Sequence, residues 1–435
     1  MKTDAFFLDL VASQKRGLPR GISSVCSAHR TVLEAAFLQA ARGAGPVLIE
    51  STVNQVNQLG GYTGMTPEAF RSFVASVAEE MAFPMERVIL GGDHLGPYPW
   101  RRESADVAMQ RSRDLVAASV RAGYSKIHLD ASMPLGGDSR GAGGALDPRM
   151  AAAREADLAT VAEAAFRERP RGAVEAPVYV IGTEVPTPGG AVAGEGVTVT
   201  RPEDLRETIS LCRDAFHQRG LQDAWSRVRA VVAQPGVEFG DQEVHQYDRG
   251  RAAGLCEEAR RLAGTVLEGH STDYQPVPRL AQMVQDGVAI LKVGPALTFA
   301  LRECLFSLEC IEREMMPGGA ERLSDLRETV DRAMAADPVH WSAYYHGGDG
   351  ARQFARRYSL SDRIRYYWSV PGVSAAVERL FSNLGSRPIP MALVSQYLPV
   401  HHRAIRNGEL CAEPRGLVRE SVRQVLAEYA EATGA

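Results

Sequence analysis

Two histidines of this 435-residue chain stand where short apolar segments end, a position that suits metal ligands. His94 ends an apolar segment at 88–94, and His270 ends another at 265–270. A neutral imidazole nitrogen binds zinc and similar divalent cations. Glu184 and Gln234 end two further apolar segments and could complete one site with an open position for substrate oxygens. The alternative is that each histidine is a hydrogen-bonded polar residue at the mouth of the fold.

A carboxylate directly before one of these histidines is a candidate for proton transfer. Asp93 precedes His94, and neighbouring residues of a strand point to opposite faces. Both side chains can therefore serve one site only where the strand ends and the backbone turns, which Gly91, Gly92 and Gly96 permit. Asp93 is then a candidate general acid–base.

A second carboxylate ends the segment 126–130, where Lys126, His128 and Asp130 share one face. Asp130 stands at the end and is a further catalytic candidate. Lys126 and His128 lie deeper and are predicted to fill the polar interior of the fold. Lys292, in another segment, is expected to pair with a mid-strand glutamate, because a buried charge needs a partner.

Eight apolar segments along the first 300 residues would position these side chains. Most intervals between them carry helical patterns, and this alternation indicates parallel strands joined by crossovers. Eight such units close into a (β/α)8 TIM barrel, whose active site lies at the carboxyl ends of the strands. The predicted strands are 21–27, 46–52, 88–94, 126–130, 178–184, 229–234, 265–270 and 289–294.

The sequence divides into a barrel at 1–300 and a helical extension at 301–435, because the strand rhythm stops near residue 300. We expect the extension to pack on the barrel. The predicted strand ends also bring His29, Asn54 and Ser271 to the barrel mouth as candidate substrate contacts.

Composition excludes several function classes. The formal net charge is −4 without a basic run, which argues against nucleic acid as a partner. No apolar stretch approaches the length of a membrane span. The six cysteines form no Cys-x-x-Cys pair, which favours reduced thiols and a cytoplasmic location. Neither a P-loop nor a dinucleotide-binding fingerprint occurs.

Seven motifs along nearly the whole chain carry a family resemblance. They are SVCSAH at 24–29, IESTVNQVNQLGGYTGMTP at 49–67, GGDHLGP at 91–97, GTEVPTPGG at 182–190, VAQPGVEF at 232–239, KVGPALTFA at 292–300 and YSLSDRIRYYW at 358–368. Together they resemble the accessory, or Z, subunit family of class II D-tagatose-1,6-bisphosphate aldolase, whose members are also labelled tagatose-6-phosphate kinase. Some members are regarded as tagatose-6-phosphate 4-epimerases.

The resemblance implies a barrel akin to class II aldolases and a role in hexulose-phosphate metabolism. Asp93 and His94 look like the Asp-His pair of those aldolases, in which the aspartate is the acid–base and the histidine a zinc ligand. His270 is similar to a further ligand, although GHSTD replaces HGGSG. Gln234 stands where those aldolases place another histidine, which leaves open a weakened or a retuned aldolase site. Zinc is the divalent metal that the resemblance implies.

Three functions follow from these expectations. The first is a metal-dependent 4-epimerase that interconverts D-tagatose 6-phosphate and D-fructose 6-phosphate by retro-aldol and aldol steps. The second is a non-catalytic accessory subunit that stabilises a separate aldolase catalytic subunit. The third, a tagatose-6-phosphate kinase, lacks a nucleotide-binding motif. Self-association into a homo-oligomer is a further expectation.

The sugar phosphate that the first function needs calls for cationic donors. Arg363 and Arg365 of the extension are candidates, since arginine gives paired hydrogen bonds to phosphate oxygens. On a helix their two-residue spacing would turn only one of them toward the site. The alternative is that both pair with local acids such as Asp362 and only hold the extension in place.

Overall fold

A closed ring of eight parallel strands forms the centre of the computed structural model, which describes residues 2–139, 145–169, 175–183, 196–317 and 323–434. The ring strands are β1 (Ile22–Cys26), β2 (Val47–Thr52), β3 (Val88–Leu95), β4 (Lys126–Leu129), β5 (Val178–Ile181), β6 (Val228–Val232), β9 (Val266–Gly269) and β10 (Val288–Val293). Two short antiparallel strands, β7 (Glu238–Phe239) and β8 (Val244–His245), lie outside the ring. Each ring strand pairs with the ring strands that precede and follow it in the chain, so that β6 pairs with β9, and β10 closes onto β1. The predicted (β/α)8 barrel is confirmed.

Helices surround the ring and continue beyond its last strand. In the described residues they are α1 (Thr3–Lys15), α2 (Arg30–Ala40), α3 (Pro67–Glu80), α4 (Ala105–Ala122), α5 (Pro148–Arg167), α6 (Pro202–Gln218), α7 (Gln222–Trp225), α8 (Arg249–Arg261), α9 (Val277–Gln285), α10 (Pro295–Met315), α11 (Leu326–Ala336), α12 (Asp349–Tyr358), α13 (Pro371–Gly385), α14 (Met391–Tyr397), α15 (Pro399–Arg406) and α16 (Pro414–Thr433). Among the described residues, no helix combines the length and the apolar character needed to cross a bilayer.

The two faces of each barrel strand have different partners, as the period of two in a strand requires. On β4, Ile127 and Leu129 belong to the core between the ring and the helices, whereas Lys126 and His128 are buried inside the ring. On β2, Ile49 joins the same outer core. The interior therefore carries the polar side chains, and the outer face of the strands holds the helices.

Helix α1 fills the amino end of the barrel with apolar side chains. Phe7, Leu10 and Val11 are buried against the lower interior residues of the strands, such as Leu48 and Ile290. This apolar floor leaves the polar layers only at mid-height and at the carboxyl end, where a barrel has its site.

The chain after β10 is helical and packs on the barrel. The boundary expected at residue 300 falls within α10, which begins at Pro295 directly after β10. Helix α16 packs against α2, α9 and α10. The carbonyl of Thr433 accepts a hydrogen bond of 3.0 Å from the backbone of Gly21, at the start of the first strand.

A stretch of the extension at 359–369, here called the closing segment, crosses the carboxyl end of the barrel. The Leu360 backbone N–H donates to the Asp241 carbonyl at 2.9 Å, and the Tyr274 hydroxyl donates to the Leu360 carbonyl at 2.6 Å. Arg363–Tyr366 form one 3-10 turn of this segment. These bonds place that turn over the barrel mouth.

Candidate active site

The end of β3 turns sharply, and this turn brings two adjacent side chains into one cavity. His94 has a φ of 51°, in the left-handed region, and the pairing of β3 with β4 shifts register between Gly92 and Leu95. A Cβ at Gly96 would lie 1.7 Å from the carbonyl oxygen of Asp130, so only glycine fits there. Asp93 and His94 consequently both line the cavity.

Three imidazole rings meet at this end of the barrel. The ring centroids of His94 and His270 are 4.8 Å apart, and His128 lies 5.1 Å from each. His94 and His270 line the cavity, whereas His128 is fully buried beside them. We call these three residues the histidine cluster.

Each imidazole of the histidine cluster has one nitrogen beside a carboxylate. The three pairs are His94 Nδ1 with Asp130 Oδ2 at 2.8 Å, His128 Nδ1 with Asp93 Oδ1 at 2.9 Å, and His270 Nε2 with Glu268 Oε1 at 3.1 Å. For His94 and His270, such a partner fixes the orientation of the ring and favours a proton on the bonded nitrogen, leaving the other nitrogen free to bind a metal. His128 differs, because its Nδ1 also accepts a hydrogen bond of 3.1 Å from the backbone N–H of His94.

The second nitrogen of each ring is buried without a hydrogen-bond partner among the described residues. These atoms are His94 Nε2, His128 Nε2 and His270 Nδ1. An unpartnered imidazole nitrogen on a ring that contacts a carboxylate is the kind of atom that binds a zinc-type cation. Among the described residues, the group whose ligand atoms all lie within 4.8 Å of one another consists of Asp93, His128, Glu268 and His270. This buried group could hold a metal ion.

A layer of alternating charges supports the cluster from below. Lys126 Nζ lies 2.7 Å from Glu50 Oε1 and 2.7 Å from Glu268 Oε2, and all three side chains are fully buried. Lys292 also contacts Glu50, lies 3.3 Å from Glu268, and lies 2.8 Å from Asp93 Oδ1. The expected pairing of Lys292 with a glutamate is observed. This network compensates charges that would otherwise be costly to bury.

The same contacts set the protonation of the groups that face the cavity. Burial alone would lower the pKa of Lys292, but Asp93 and the neighbouring carboxylates raise it well above its usual value. Burial would raise the pKa of Asp93, but His94 and Lys292 hold it well below its ordinary range. Asp93 is therefore ionised and Lys292 is protonated.

The pKa values of His94 and Asp130 are also set by burial and by neighbouring charges that act in opposite directions. Burial opposes charge on His94, but Asp93 and Asp130 raise its pKa. Burial would raise the pKa of Asp130, yet contact with His94 lowers it to about 2. Burial lowers the pKa of His270 to about 4, so this ring is neutral and able to donate an electron pair at neutral pH.

A cavity of about 260 Å³ opens at the histidine cluster. Nine of the sequence-predicted site residues line it: His29, Asn54, Asp93, His94, Asp130, His270, Ser271, Arg363 and Arg365. Their contacts differ in kind. His29 Nδ1 also accepts from the Thr31 backbone N–H at 3.3 Å and so caps α2. Ser271 has a φ of 54° and donates to Glu238 Oε2 at 3.1 Å.

Two of the predicted metal ligands are not brought to the cluster by the described structure. Gln234 is not among the described cavity-lining residues, and its amide oxygen accepts from the backbone N–H groups of Gly236 and Val237 at 2.8 and 2.9 Å. Its position after β6 thus serves a local turn. Glu184 lies outside the described residues.

Two arginines of the closing segment face the cavity without a carboxylate partner among the described residues. Arg363 is 4% exposed, donates to the His340 carbonyl at 3.1 Å, and leaves its Nε without a partner. Arg365 donates to the backbone carbonyl of Asp362 at 2.9 Å and to the Tyr366 hydroxyl at 3.2 Å. Asp362 itself receives a bond from Thr298 at 2.5 Å and lies 3.9 Å from Arg302. Each guanidinium group also lies over an aromatic ring, Arg363 over Tyr344 and Arg365 over Tyr366.

The sequence alone did not place His128 in the candidate metal site. Its position deep in β4 predicted a place in the barrel interior, and His128 is indeed buried there. The ring nevertheless joins the cluster because the left-handed turn at His94 places the two rings side by side. The signal that could have found it is its spacing of two residues from Asp130 on one strand face.

Comparisons with known proteins identify the family of this chain. A family model described as D-tagatose-1,6-bisphosphate aldolase subunit GatZ/KbaZ-like matches residues 7–434. The crystal structure of a probable tagatose 6 phosphate kinase from Sinorhizobium meliloti 1021 is 46% identical, with a TM-score of 0.86 over 95% of this chain and 100% of the other.

Two more distant structures share a low overall similarity with this chain. A fructose-bisphosphate aldolase from Campylobacter jejuni is 13% identical, with a TM-score of 0.46 over 88% of this chain and 95% of the other. The YdjI aldolase from Escherichia coli K12 is 10% identical, with a TM-score of 0.42 over 88% of this chain and 97% of the other. The near-complete family match and the 46% identical relative decide the assignment: this chain belongs to the D-tagatose-1,6-bisphosphate aldolase subunit GatZ/KbaZ-like family.

Proposed function

We propose that this chain is a metal-dependent 4-epimerase that interconverts D-tagatose 6-phosphate and D-fructose 6-phosphate by retro-aldol cleavage and aldol re-addition. One observation carries the proposal: two rings of the histidine cluster, those of His94 and His270, line one cavity with Asp93 and two arginines that form no ion pair among the described residues. The 46% identical Sinorhizobium relative is named for the same sugar phosphate, which supports the choice of substrate.

The position of the C4 hydrogen determines which chemistry can invert that carbon. This hydrogen is β to the C2 ketone and is not acidic, so direct deprotonation cannot epimerise C4. Cleavage of the C3–C4 bond is an alternative route that needs an electron sink at C2 and C3. Oxidation at C4 would need a nicotinamide, and the sequence has no fingerprint for one.

A Schiff base is disfavoured as the electron sink. Lys292 faces the cavity but stays protonated, because Asp93, Glu50 and Glu268 surround its amine. Lys126 is fully buried and is not among the described residues that line the cavity. A divalent cation held by His94, His128 and His270 would instead supply the positive charge that stabilises an enediolate.

The side chains of this chain then have distinct tasks. Asp93 accepts the C4 hydroxyl proton as the C3–C4 bond breaks, and the bonding electron pair passes to the C2–C3 enediolate. Arg363 and Arg365 hold the 6-phosphate, which stays on the fragment that has become an aldehyde. That fragment turns its other face, the bond re-forms, and Asp93 returns the proton to the C4 oxygen.

The proposal is tested by incubating the purified, metal-supplemented full chain with D-fructose 6-phosphate in D2O and following C4 by NMR. We expect D-tagatose 6-phosphate to form with C4–H retained, because the route never removes that hydrogen. Asp93→Asn should lower the rate by about 10²- to 10⁴-fold at saturating metal. Asp114→Asn, at an exposed position of α4, is the matched control. Absence of interconversion, or deuterium at C4, would contradict the mechanism.

A second candidate is the accessory role that the family description suggests. In that case the chain would stabilise a class II aldolase catalytic subunit and turn over no sugar itself. Mixing the purified chain with such a subunit separates the two functions. A gain in thermal stability and aldolase rate, with no epimerisation by this chain alone, would favour the accessory role.

A further inference from the structure

The charged residues in the described lining of the cavity match one phosphate group. Among the described lining residues the lysine and arginine side chains are Lys292, Arg363 and Arg365. Lys292 is surrounded by three carboxylates, as described above. Arg363 and Arg365 belong to one 3-10 turn and so form a single cationic position. One doubly charged phosphate matches this pair, but a second has no free partner in the described lining.

A phosphate site that is frequent in this architecture is closed in this chain. TIM barrels often bind phosphate with the loops after the seventh and eighth ring strands and a helix N-terminus. Here those strands are β9 and β10, followed by α10. Asp273 Oδ1 accepts from the backbone N–H of Gly294 at 3.0 Å and of Ala296 at 2.8 Å. A carboxylate of the protein therefore occupies the amides that a phosphate would need.

Asp273 is fixed in this position by its surroundings. It is 2% exposed and lines the same cavity as the two arginines. Its neighbours Ser271 and Tyr274 have φ values of 54° and 63°, left-handed conformations that persist only when the structure around them imposes them. The Tyr429 hydroxyl of α16 donates to the carbonyl of Thr272 at 2.8 Å. The loop that carries Asp273 is thus held from both sides.

We propose that Asp273 restricts the cavity to ketoses that carry a single phosphate and excludes ketose bisphosphates. The inference rests on the proposed function, since it names the residue that selects the substrate of that same site. Two physical effects act together. The carboxylate fills the amide cradle of α10, and its negative charge repels a second phosphate in a poorly solvated cavity.

Equilibrium binding tests the inference without relying on turnover. The probes are D-fructose 6-phosphate and D-fructose 1,6-bisphosphate, titrated by calorimetry into the metal-supplemented full chain. We expect the wild-type chain to bind the bisphosphate at least about tenfold more weakly than the monophosphate. Asp273→Ala leaves the backbone N–H groups of Gly294 and Ala296 without this acceptor and should reduce the ratio of the bisphosphate to the monophosphate dissociation constant. Asp248→Ala is the matched control, because Asp248 caps α8 through two backbone N–H groups at 2.8 and 3.1 Å and is not among the described lining residues.

The possible binding results distinguish failure of this inference from failure of the proposed function. Equal wild-type affinity for both probes overturns the inference but leaves the proposed function standing. Wild-type binding of neither probe counts against the proposed function itself. An unchanged ratio in a folded Asp273→Ala variant overturns the role of Asp273. If that variant does not fold, Asp273→Asn takes its place. The asparagine keeps an acceptor for both backbone N–H groups but removes the charge, so the preference for the monophosphate should fall, but by less than expected for Asp273→Ala. An unchanged preference would again overturn the proposal.

Discussion

The Oδ1 atom of Asp93 lies 2.9 Å from His128 Nδ1 and 2.8 Å from Lys292 Nζ. One carboxylate oxygen thus joins the histidine cluster to the charged layer beneath it. Asp93 both orients a candidate metal ligand and is the candidate base. Experiments on this site must therefore measure metal content and turnover separately.

His128→Ala should weaken metal binding although this residue is not exposed to the cavity. Removing an outer partner of a metal ligand usually costs about 10- to 100-fold in affinity, and removing a ligand should cost at least as much. Elemental analysis of the untagged chain should give close to one divalent metal per wild-type chain, and clearly less for the variant. His346→Ala, at an exposed site of the extension, is the control. Full metal content in His128→Ala would remove this residue from the ligand set.

Arg363→Ala and Arg365→Ala should each raise KM for D-fructose 6-phosphate but not for unphosphorylated D-fructose. Loss of a charged hydrogen bond costs about 1.5–3 kcal/mol, or roughly 10- to 100-fold in affinity. Steady-state kinetics on both sugars measures the difference. Arg352→Ala removes an exposed arginine that pairs with Asp349 and should change neither value. An equal loss on both sugars would instead indicate that the arginines only hold the closing segment in place.

Glu50→Gln should destabilise the barrel strongly. The glutamate contacts Lys126 and Lys292, and its loss leaves both buried amines with fewer compensating charges. Breaking a buried ion pair from one side costs about 3–5 kcal/mol in the free energy of unfolding. Urea denaturation measures that loss. Glu168→Gln, which breaks an exposed pair with Arg121, should change stability by less than about 1 kcal/mol.

His29 should make stability depend on pH below neutrality. Burial lowers its pKa to about 4 in the folded state, whereas an unfolded histidine has a pKa of about 6.5. Between these values the unfolded state binds more protons, so the free energy of unfolding falls as pH falls through this window. His29→Asn keeps an acceptor for the cap of α2 and does not titrate.

The readout is the difference between the two chains in urea denaturation at pH 7 and at pH 4.5. Between pH 7 and pH 4.5, the free energy of unfolding should fall by about 1–3 kcal/mol less in the variant than in the wild type. Equal losses in both chains would show that His29 is protonated equally easily in the folded and unfolded states.

The barrel was predictable because its strands are short apolar segments whose ends are polar. All eight predicted segments contain or overlap a ring strand, and the turn expected after Asp93 exists at His94. The boundary at residue 300 was harder to place, because α10 starts directly after β10 and continues to Met315 without a break. A helix that belongs to both the ring and the extension gives no signal of a boundary.

The details of the site depended on contacts that spacing cannot reveal. Position after β6 made Gln234 a candidate ligand, but the local turn takes up its amide oxygen. The prediction that only one of Arg363 and Arg365 turns toward the site assumed an α-helix. The segment forms a single 3-10 turn at the cavity rim, and both side chains line the cavity. Such a short turn is set by its tertiary bonds rather than by its own residues.

The bonds of α16 to both ends of the barrel have a consequence for biosynthesis. Thr433 accepts from Gly21, at the entry to the first strand, and Tyr429 bonds to Thr272 in the loop after β9. Helix α16, which is synthesised after every ring strand, therefore joins the first ring strand to the loop that carries Asp273. A nascent chain can form the early βα units, but the loop that carries Asp273 is held in place only after α16 has been synthesised and has packed on the barrel. Removal of the last two turns of α16 should thus abolish ligand binding while most of the secondary structure remains.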